Sequence, residues 1–193
     1  LLFVFILLYS LTGFAQEPTE LAIGTDAPVI NSKDYLSKAY SLESALKDGP
    51  VVVVFYRGHW CPYCNKHMSA IQDSLQMITD LGATVVAVTP QMDEFVKKTV
   101  RKTKASFTII PDEGHRIMDD WKVTFRMDDE TYKRYTSYGI RVNENAGNED
   151  RALPVPATYI VGKDGKIASS YFDENYKGRM PVKEMLQVLE GIK

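Results

Sequence analysis

The chain has two cysteines, Cys61 and Cys64, and both lie in the stretch WCPYC. Pro62 favours the first position of a helix, where its missing N–H is not needed, so Cys61 is predicted at a helix N-terminus. Unpaired N–H groups and the positive end of the helix dipole stabilise a thiolate there, and the thiolate is the form of cysteine that attacks. We therefore expect Cys61 to be the more acidic and more exposed cysteine, with Cys64 half-buried beneath it.

The residues before and after this pair predict the strand and the helix that hold it. Residues 51–56, VVVVFY, are β-branched and aromatic without alternation, which is typical of a strand covered on both faces. Beyond the pair, apolar residues recur every three or four positions and predict one helix with a buried face: Met68, Ile71, Leu75 and Ile78. Two cysteines in the first turn of that helix are close enough to form a disulfide and to reopen it.

The rest of the chain alternates between strand and helix patterns joined by short connections. Strands are predicted at residues 83–88, 107–110, 158–161 and 167–171, and helices at residues 40–47, 92–103, 115–123 and 181–192. This alternation predicts βαβ units with a largely parallel core sheet. Asp112 and Glu113, just after one core strand, are candidates for a general base.

Residues 128–152 interrupt this alternation. They hold Tyr132, Tyr135 and Tyr138 at helical spacing, followed by a polar stretch at residues 143–150 that is predicted as a loop. Loops on a rigid scaffold commonly carry specificity, so this excursion is a candidate for shaping the mouth of a substrate site. The alternative is that the tyrosines only pack against the domain.

Two motifs resemble a known family. Residues 55–64, FYRGHWCPYC, and residues 153–161, LPVPATYIV, are similar to signatures of peroxiredoxin-like proteins of the alkyl hydroperoxide reductase/thiol-specific antioxidant (AhpC/TSA) family, within the thioredoxin-fold superfamily. The resemblance covers residues 23–193. It implies an α/β, thioredoxin-like fold with a central mixed β-sheet and helices on both faces. It also implies a thiol-dependent oxidoreductase that needs no cofactor.

The resemblance assigns further residues to substrate binding. In the thioredoxin fold a cis proline precedes the strand that faces the cysteine pair, and this position falls on Pro156, with Pro154 as the competitor. The backbone beside it, at Val155, is then expected to be free to hydrogen-bond an extended substrate. Trp60 is expected to shield the sulfurs and to contact the substrate.

The peroxide-binding motif of peroxiredoxins is only partly present. That motif reads Pro-x-x-x-Thr-x-x-Cys, and its attacking cysteine falls on Cys64, whereas Arg57 and Cys61 stand at the proline and threonine positions. The distant arginine of the family falls on Pro156. Either Arg57 or Arg179 could supply the missing guanidinium, since a fixed cation with paired donors is what the site needs.

Two reaction schemes use the same two sulfurs. In protein-disulfide exchange Cys61 attacks and Cys64 resolves the mixed disulfide, whereas in peroxide reduction Cys64 attacks and Cys61 resolves. The substrate is thus a peroxide or a protein disulfide, and the reductant is a thioredoxin-like or membrane-linked partner. A purely structural disulfide is a poor explanation, because so small a loop adds only about 2 kcal/mol.

A metal site is a further alternative for the cysteine pair. Cys61 and Cys64 could bind copper or zinc together with His59, His67 or His115. No second cysteine pair accompanies them, so we expect no metal. The formal net charge of -2 gives no basic surface for nucleic acid.

The first residues of the sequence predict export. Residues 1–15, LLFVFILLYSLTGFA, are apolar, too short for a membrane span, and end in small residues that resemble a signal-peptidase site. We interpret them as a signal peptide, followed by a flexible lead-in at residues 16–22. The mature protein is then expected in the periplasm or another extracytoplasmic compartment, without a membrane span, where disulfides persist until a partner reduces them. A retained membrane anchor is the alternative.

Overall fold

The computed structural model describes residues 17–192, so the predicted signal peptide at residues 1–15 lies outside the described residues. In the predicted lead-in, the Thr19 N–H donates to the carbonyl of Lys122 at 2.9 Å. The elements follow in the order β1 (Asn31–Lys33), β2 (Ala39–Ser41), α1 (Leu42–Asp48), β3 (Val51–Phe55), α2 (Pro62–Asp73), α3 (Leu75–Asp80), β4 (Thr84–Thr89), α4 (Asp93–Thr103), β5 (Thr108–Pro111), a 3₁₀ turn (Glu113–His115), α5 (Arg116–Asp120), β6 (Thr124–Arg126), α6 (Asp129–Ser137), α7 (Val142–Ala146), β7 (Ala152–Pro154), β8 (Ala157–Val161), β9 (Ile167–Phe172) and α8 (Val182–Gly191). None of these helices is long and apolar enough to cross a membrane.

β3 lies at the centre of a five-stranded sheet with the order β5-β4-β3-β8-β9. β3, β4 and β5 are parallel, whereas β8 and β9 run antiparallel to their neighbours. All residues of β3 are buried, which confirms the predicted central strand. The mixed sheet confirms the predicted thioredoxin-like fold class, and the two predicted strands at residues 158–161 and 167–171 form its antiparallel β8–β9 hairpin.

The side chains of β3 point alternately into two halves of the core. Val52 and Val54 face the cluster formed with α2, α3, α4 and α8. Val51, Val53 and Phe55 face the opposite cluster, which includes α1, α5 and the fully buried Trp121. Helices therefore cover both faces of the sheet, and the burial of β3 on both sides fixes the turn that carries the cysteines.

The helix predicted after the cysteine pair is broken at Ser74. The predicted apolar stripe is confirmed by three fully buried side chains, Met68, Ile71 and Ile78. The Ser74 N–H donates to the carbonyls of both Ala70 and Ile71, which tightens the last turn of α2 before α3 begins. Serine favours helix ends because its hydroxyl competes for backbone hydrogen bonds.

The segment between α5 and β8 differs most from the prediction. Half of the predicted loop at residues 143–150 belongs to α7, and β6 and β7 form an additional two-stranded antiparallel sheet. Strands of three residues are too short to show an alternating pattern. Pro154 is tolerated in β7 because that strand has one partner and needs few N–H donors. This small sheet leads directly to Val155 and Pro156.

His67 on α2 fastens that helix to the segment before α8. Its side chain is 7% exposed, and its Nε2–H donates to the carbonyl of Met180 at 3.0 Å. Burial, with a smaller effect from the nearby Arg179 charge, lowers the pKa of His67 to about 4. His67 is therefore neutral near pH 7 and resists protonation on acidification.

This buried histidine predicts an acid-sensitive stability. In the unfolded chain His67 takes up a proton near its ordinary pKa, about 6.5, while the folded protein does so only near 4. The difference in pKa therefore costs no stability above about pH 6.5. As the pH falls from there to 4, it lowers the free energy of unfolding by about 3 kcal/mol. Between pH 7 and pH 4, we expect the free energy of unfolding of His67→Gln, measured in urea, to fall by about 3 kcal/mol less than that of the wild type.

Lys66→Gln is the matched control for this measurement. Lys66 is the exposed neighbour of His67 on the same helix, so its replacement leaves the buried imidazole in place. The control should therefore keep the pH dependence of the wild type. Equal pH dependence in the wild type and His67→Gln would show that His67 is protonated as readily in the folded protein as in the unfolded chain.

Candidate active site

Cys61 and Cys64 form a disulfide at the N-terminus of α2, with their Cα atoms 5.3 Å apart. Cys61 is the N-cap residue and Pro62 is the first helical residue, as the motif predicts. The backbone N–H of Cys64 donates to Cys61 Sγ at 3.3 Å. Once the disulfide is reduced, such a hydrogen bond at a helix N-terminus stabilises a thiolate at Cys61.

The structure buries both cysteines, so the predicted contrast between a more exposed Cys61 and a half-buried Cys64 is not found. Cys61 is 2% exposed and Cys64 is 1% exposed. Side chains from distant parts of the sequence cover the start of α2, and a local motif carries no information about them. Cys61 nevertheless lines a cavity that is open to the surface, and this cavity gives access to its sulfur.

Arg179 approaches the sulfurs from the segment before α8. Its Nη2 lies 3.0 Å from Cys64 Sγ and 3.8 Å from Cys61 Sγ. Its Nη1 donates to the carbonyl of Tyr176 at 2.7 Å and to that of Gly178, which fixes the guanidinium. Burial lowers the pKa of Arg179 to about 10, so it stays protonated at neutral pH. Of the two arginines considered from the sequence, Arg179 is the one that contacts the sulfurs.

A hydrogen-bonded turn between β3 and α2 orients Trp60. Gln91 Oε1 accepts the His59 N–H at 2.8 Å, and Gln91 Nε2 donates to His59 Nδ1 at 2.9 Å. Gly58 is required in this turn, because a Cβ atom would lie 2.8 Å from both the Gln91 side chain and Trp60 Nε1. Trp60 then packs edge-to-face on Tyr135, with ring centroids 5.8 Å apart.

A cavity of about 800 Å³ opens beside Cys61. It brings together the four residues predicted to bind substrate, namely Arg57, Trp60, Val155 and Pro156. The remaining wall includes five aromatic residues, namely Tyr63, Phe125, Tyr135, Tyr138 and Tyr176. Two of the three tyrosines of the 128–152 segment therefore line this cavity, as expected for a segment that shapes the mouth of a site.

The prediction of a cis peptide bond before Pro156 is wrong. All peptide bonds described between residues 17 and 192 are trans. The Val155 N–H donates to the carbonyl of Val123 at 2.7 Å, and the Pro156 carbonyl accepts the Asp173 N–H at 3.4 Å. The chain thus stays extended from β7 into β8, which the intrinsically favoured trans isomer allows. The N–H of Val155 is also not free to pair with an extended substrate, contrary to the prediction.

The metal alternative lacks a ligand set in the part of the chain that the structure describes. Within residues 17–192 no three His, Cys, Asp or Glu side chains are grouped closely enough to hold an ion. The three histidines have other contacts: His67 with Met180, His59 with Gln91, and His115 Nε2 at 3.5 Å from Asp150 Oδ2. The cysteine pair is therefore without a third protein ligand among these residues.

Asp112, one of the two candidate general bases, acts instead as a helix cap. It is 3% exposed, and its two carboxylate oxygens accept the N–H groups of Ile117 at 3.0 Å and Met118 at 2.8 Å. Burial raises the pKa of Asp112, while these hydrogen bonds act in the opposite direction. Both oxygens are used at the start of α5, where helical N–H groups otherwise lack partners.

Sequence reasoning missed Gln91 and Tyr176 as parts of the site. Gln91 follows β4, at the carboxyl edge of the parallel strands where ligand sites commonly form, and that position was the available signal. Tyr176 lies in a loop after β9, and no local pattern connects it to the cysteines. Long-range packing alone brings it to the cavity.

A family model for the AhpC/TSA family matches residues 23–170 of this chain. The chain is also similar to a chloroplastic peroxiredoxin Q of Sedum lineare, with 28% identity over 170 residues that cover 88% of this chain and 78% of the relative. A chloroplastic peroxiredoxin Q of Arabidopsis thaliana is 27% identical over 168 residues, which cover 87% of this chain and 67% of the relative.

Solved structures share the fold. The peroxidoxin BcpB of Mycobacterium tuberculosis superposes with a TM-score of 0.69 at 15% identity, covering 89% of this chain and 97% of that one. The thioredoxin domain of a thiol-disulfide oxidoreductase from Bacteroides vulgatus gives a TM-score of 0.57 at 19% identity, covering 90% and 100%. Because the family model spans most of the sequence, the chain belongs to the AhpC/TSA family and is a peroxiredoxin-like thiol oxidoreductase.

Proposed function

We propose that the protein reduces hydroperoxides, with Cys64 as the attacking sulfur and Cys61 as the resolving sulfur. The observation that carries this proposal is the contact of Arg179 Nη2 with Cys64 Sγ at 3.0 Å. Peroxide reduction needs a fixed cation beside the attacking thiolate, and Pro156 stands where the family has its arginine. Arg179 supplies that cation from a different part of the chain.

The reaction balances with the two cysteines and one external reductant. The Cys64 thiolate attacks one oxygen of ROOH, the O–O bond breaks, and the leaving alkoxide takes a proton from solvent to give ROH. The Cys61 thiol then attacks the Cys64 sulfenic acid, which forms the disulfide and releases water. A dithiol partner, thioredoxin-like or membrane-linked, takes the disulfide back to two thiols and is itself oxidised.

Arg179 has two roles in this scheme. Its positive charge favours the Cys64 thiolate, since burial by itself favours the neutral thiol. Its Nη2 is also placed to donate to the peroxide oxygens, where negative charge develops as the O–O bond breaks. The carbonyls that hold Nη1 orient the guanidinium before substrate arrives.

Protein-disulfide reduction is the second candidate, and one observation favours it. Cys61 is the N-cap residue, receives the Cys64 N–H, and lines the cavity, as the attacking sulfur of a Cys-x-x-Cys exchange requires. The engaged Val155 N–H counts against this candidate, because that backbone cannot donate to an extended protein substrate. Peroxide reduction is therefore the better-supported function.

The location is a separate part of the proposal. The apolar run at residues 1–15 supports export to an extracytoplasmic compartment, where the oxidised pair is stable until a partner reduces it. Fractionation of cells that express the full-length precursor, followed by mass determination of the mature N-terminus, tests this. Recovery of an uncleaved protein from the cytosol would contradict export.

Serine variants of the two cysteines separate the reaction schemes. We expect Cys64→Ser to consume no peroxide, because the attacking sulfur is gone. Cys61→Ser should consume one equivalent without reductant and leave a sulfenic acid at Cys64 that dimedone traps. The measurements are peroxide consumption and intact mass, with insulin-disulfide reduction in parallel. A sulfenic acid on Cys61 in Cys64→Ser would reverse the roles, and full activity of both variants would end the thiol mechanism.

Substitution of Arg179 tests the cation directly. We expect Arg179→Gln to lower the rate constant for Cys64 oxidation by about 10²-fold, because a fixed donor to the developing charge is lost. The rate constant for Arg179→Lys should lie between those of the wild type and Arg179→Gln, since lysine keeps the charge but not the paired donors. Stopped-flow measurement of the Trp fluorescence change on adding peroxide follows this step. Lys183→Gln, which removes an exposed charge from nearby α8, is the control, and an equal loss there would contradict the role of Arg179.

A further inference from the structure

Arg57 is a buried cation with no anionic partner among residues 17–192. It is 3% exposed, and its guanidinium carbon lies 5.4, 5.2 and 5.0 Å from the ring centroids of Trp60, Tyr135 and Tyr176. Among the described residues, Arg57 forms no ion pair or side-chain hydrogen bond, and its buried Nε lacks an acceptor. This contrasts with Arg179, which the carbonyls of its own segment hold.

A buried guanidinium such as that of Arg57 is expected to have an anionic partner. Buried charges in proteins are normally paired or fully hydrogen-bonded, because desolvation is costly. The three aromatic faces attract the cation, but they do not accept its in-plane N–H groups as an oxygen does. Burial, together with repulsion from Arg179, lowers the pKa of Arg57 to about 10, so the side chain is still charged at neutral pH.

Arg57 lines the same 800 Å³ cavity as Cys61. A cavity of that size accepts a small organic molecule, and the aromatic side chains that line it suit an apolar body. The carboxylates that also line it, Glu17 and Glu174, are exposed, and neither forms an ion pair with Arg57. The described residues therefore leave Arg57 without an anion, and a molecule that enters the cavity can supply one.

We propose that Arg57 binds a carboxylate of the substrate, and that the protein acts preferentially on organic hydroperoxides that carry a carboxylate and an apolar body. This inference rests on the proposed peroxidase function and names its substrate class. A guanidinium binds a carboxylate through two parallel hydrogen bonds. Arg57 thereby anchors one end of the substrate, while Arg179 and the two sulfurs act on the peroxide at the other. Arg57 is a specificity-determining residue and takes no part in bond making.

Matched hydroperoxides test this preference. The probes are cumene hydroperoxide carrying a para-carboxylate, and the methyl ester of the same compound, which is neutral and similar in shape. For the wild type we expect kcat/KM to be about tenfold or more higher for the acid, mainly through KM, because the acid gains charge-assisted hydrogen bonds. Equal kcat/KM for acid and ester in the wild type would overturn the proposal.

Two variants locate the anchor. In Arg57→Gln the acid-to-ester ratio should fall to about one, whereas Arg57→Lys should keep part of it. The control is Arg134→Gln, which removes the same charge from an exposed position of the same cavity, where water screens it. If Arg134→Gln loses the preference and Arg57→Gln keeps it, the carboxylate binds at the rim and the proposal for Arg57 is wrong.

A binding measurement keeps this inference separate from the peroxidase proposal. Titration calorimetry of the disulfide form with para-isopropylbenzoate, and with the corresponding neutral amide, needs no turnover. We expect the acid to bind about tenfold more tightly than the amide to the wild type and equally weakly to Arg57→Gln. Arg57-dependent binding without peroxide consumption would retain the anion site and refute the peroxidase function. Equal binding of acid and amide to the wild type would refute the anion site, whatever the peroxidase assay shows.

Discussion

The contact between the Arg179 guanidinium and the two sulfur atoms is the interaction on which the site depends. A thiolate buried as deeply as Cys64 needs a nearby positive charge and hydrogen-bond donors, since burial favours the neutral thiol. The start of α2 supplies N–H groups, and Arg179 supplies the charge from 115 positions further along the sequence. The His67–Met180 hydrogen bond fastens that segment to α2, so the fold itself sets the distance between cation and sulfur.

The same arrangement places two arginines, Arg57 and Arg179, in the site. Arg57 and Arg179 are both at least half-buried, and among the described residues neither forms an ion pair with a carboxylate. Their mutual repulsion adds to burial in lowering the pKa of Arg57. Contacts with aromatic faces at Arg57 and hydrogen bonds to carbonyls at Arg179 offset part of the cost of this repulsion and burial. These two guanidiniums favour the anions of the proposed reaction: the thiolate, the leaving alkoxide and an acidic substrate group.

The sequence predicts those parts of the fold that depend on local patterns. The buried strand β3, the N-cap position of Cys61 and the alternation of strands and helices follow from residue periodicity, proline placement and helix-dipole chemistry. The break at Ser74, the short β6–β7 sheet and helix α7 do not, because each is too short or depends on packing partners. The burial of Cys61 and the choice of Arg179 over Arg57 at the sulfurs also depend on long-range contacts that no local pattern reveals.

The structure gives a physical reason for two departures from the family motif, at Cys61 and at Pro156. Cys61 stands at the threonine position, where its sulfur lies in the same helical turn as Cys64, so the disulfide forms without movement of another element. Pro156 stands at the arginine position, in an extended trans stretch whose Val155 N–H is engaged by Val123. That stretch can build a cavity wall but cannot pair with a protein strand through this N–H. This geometry supports the proposed hydroperoxide substrate over a protein disulfide, because a small molecule can enter the cavity beside Cys61 without pairing with that backbone.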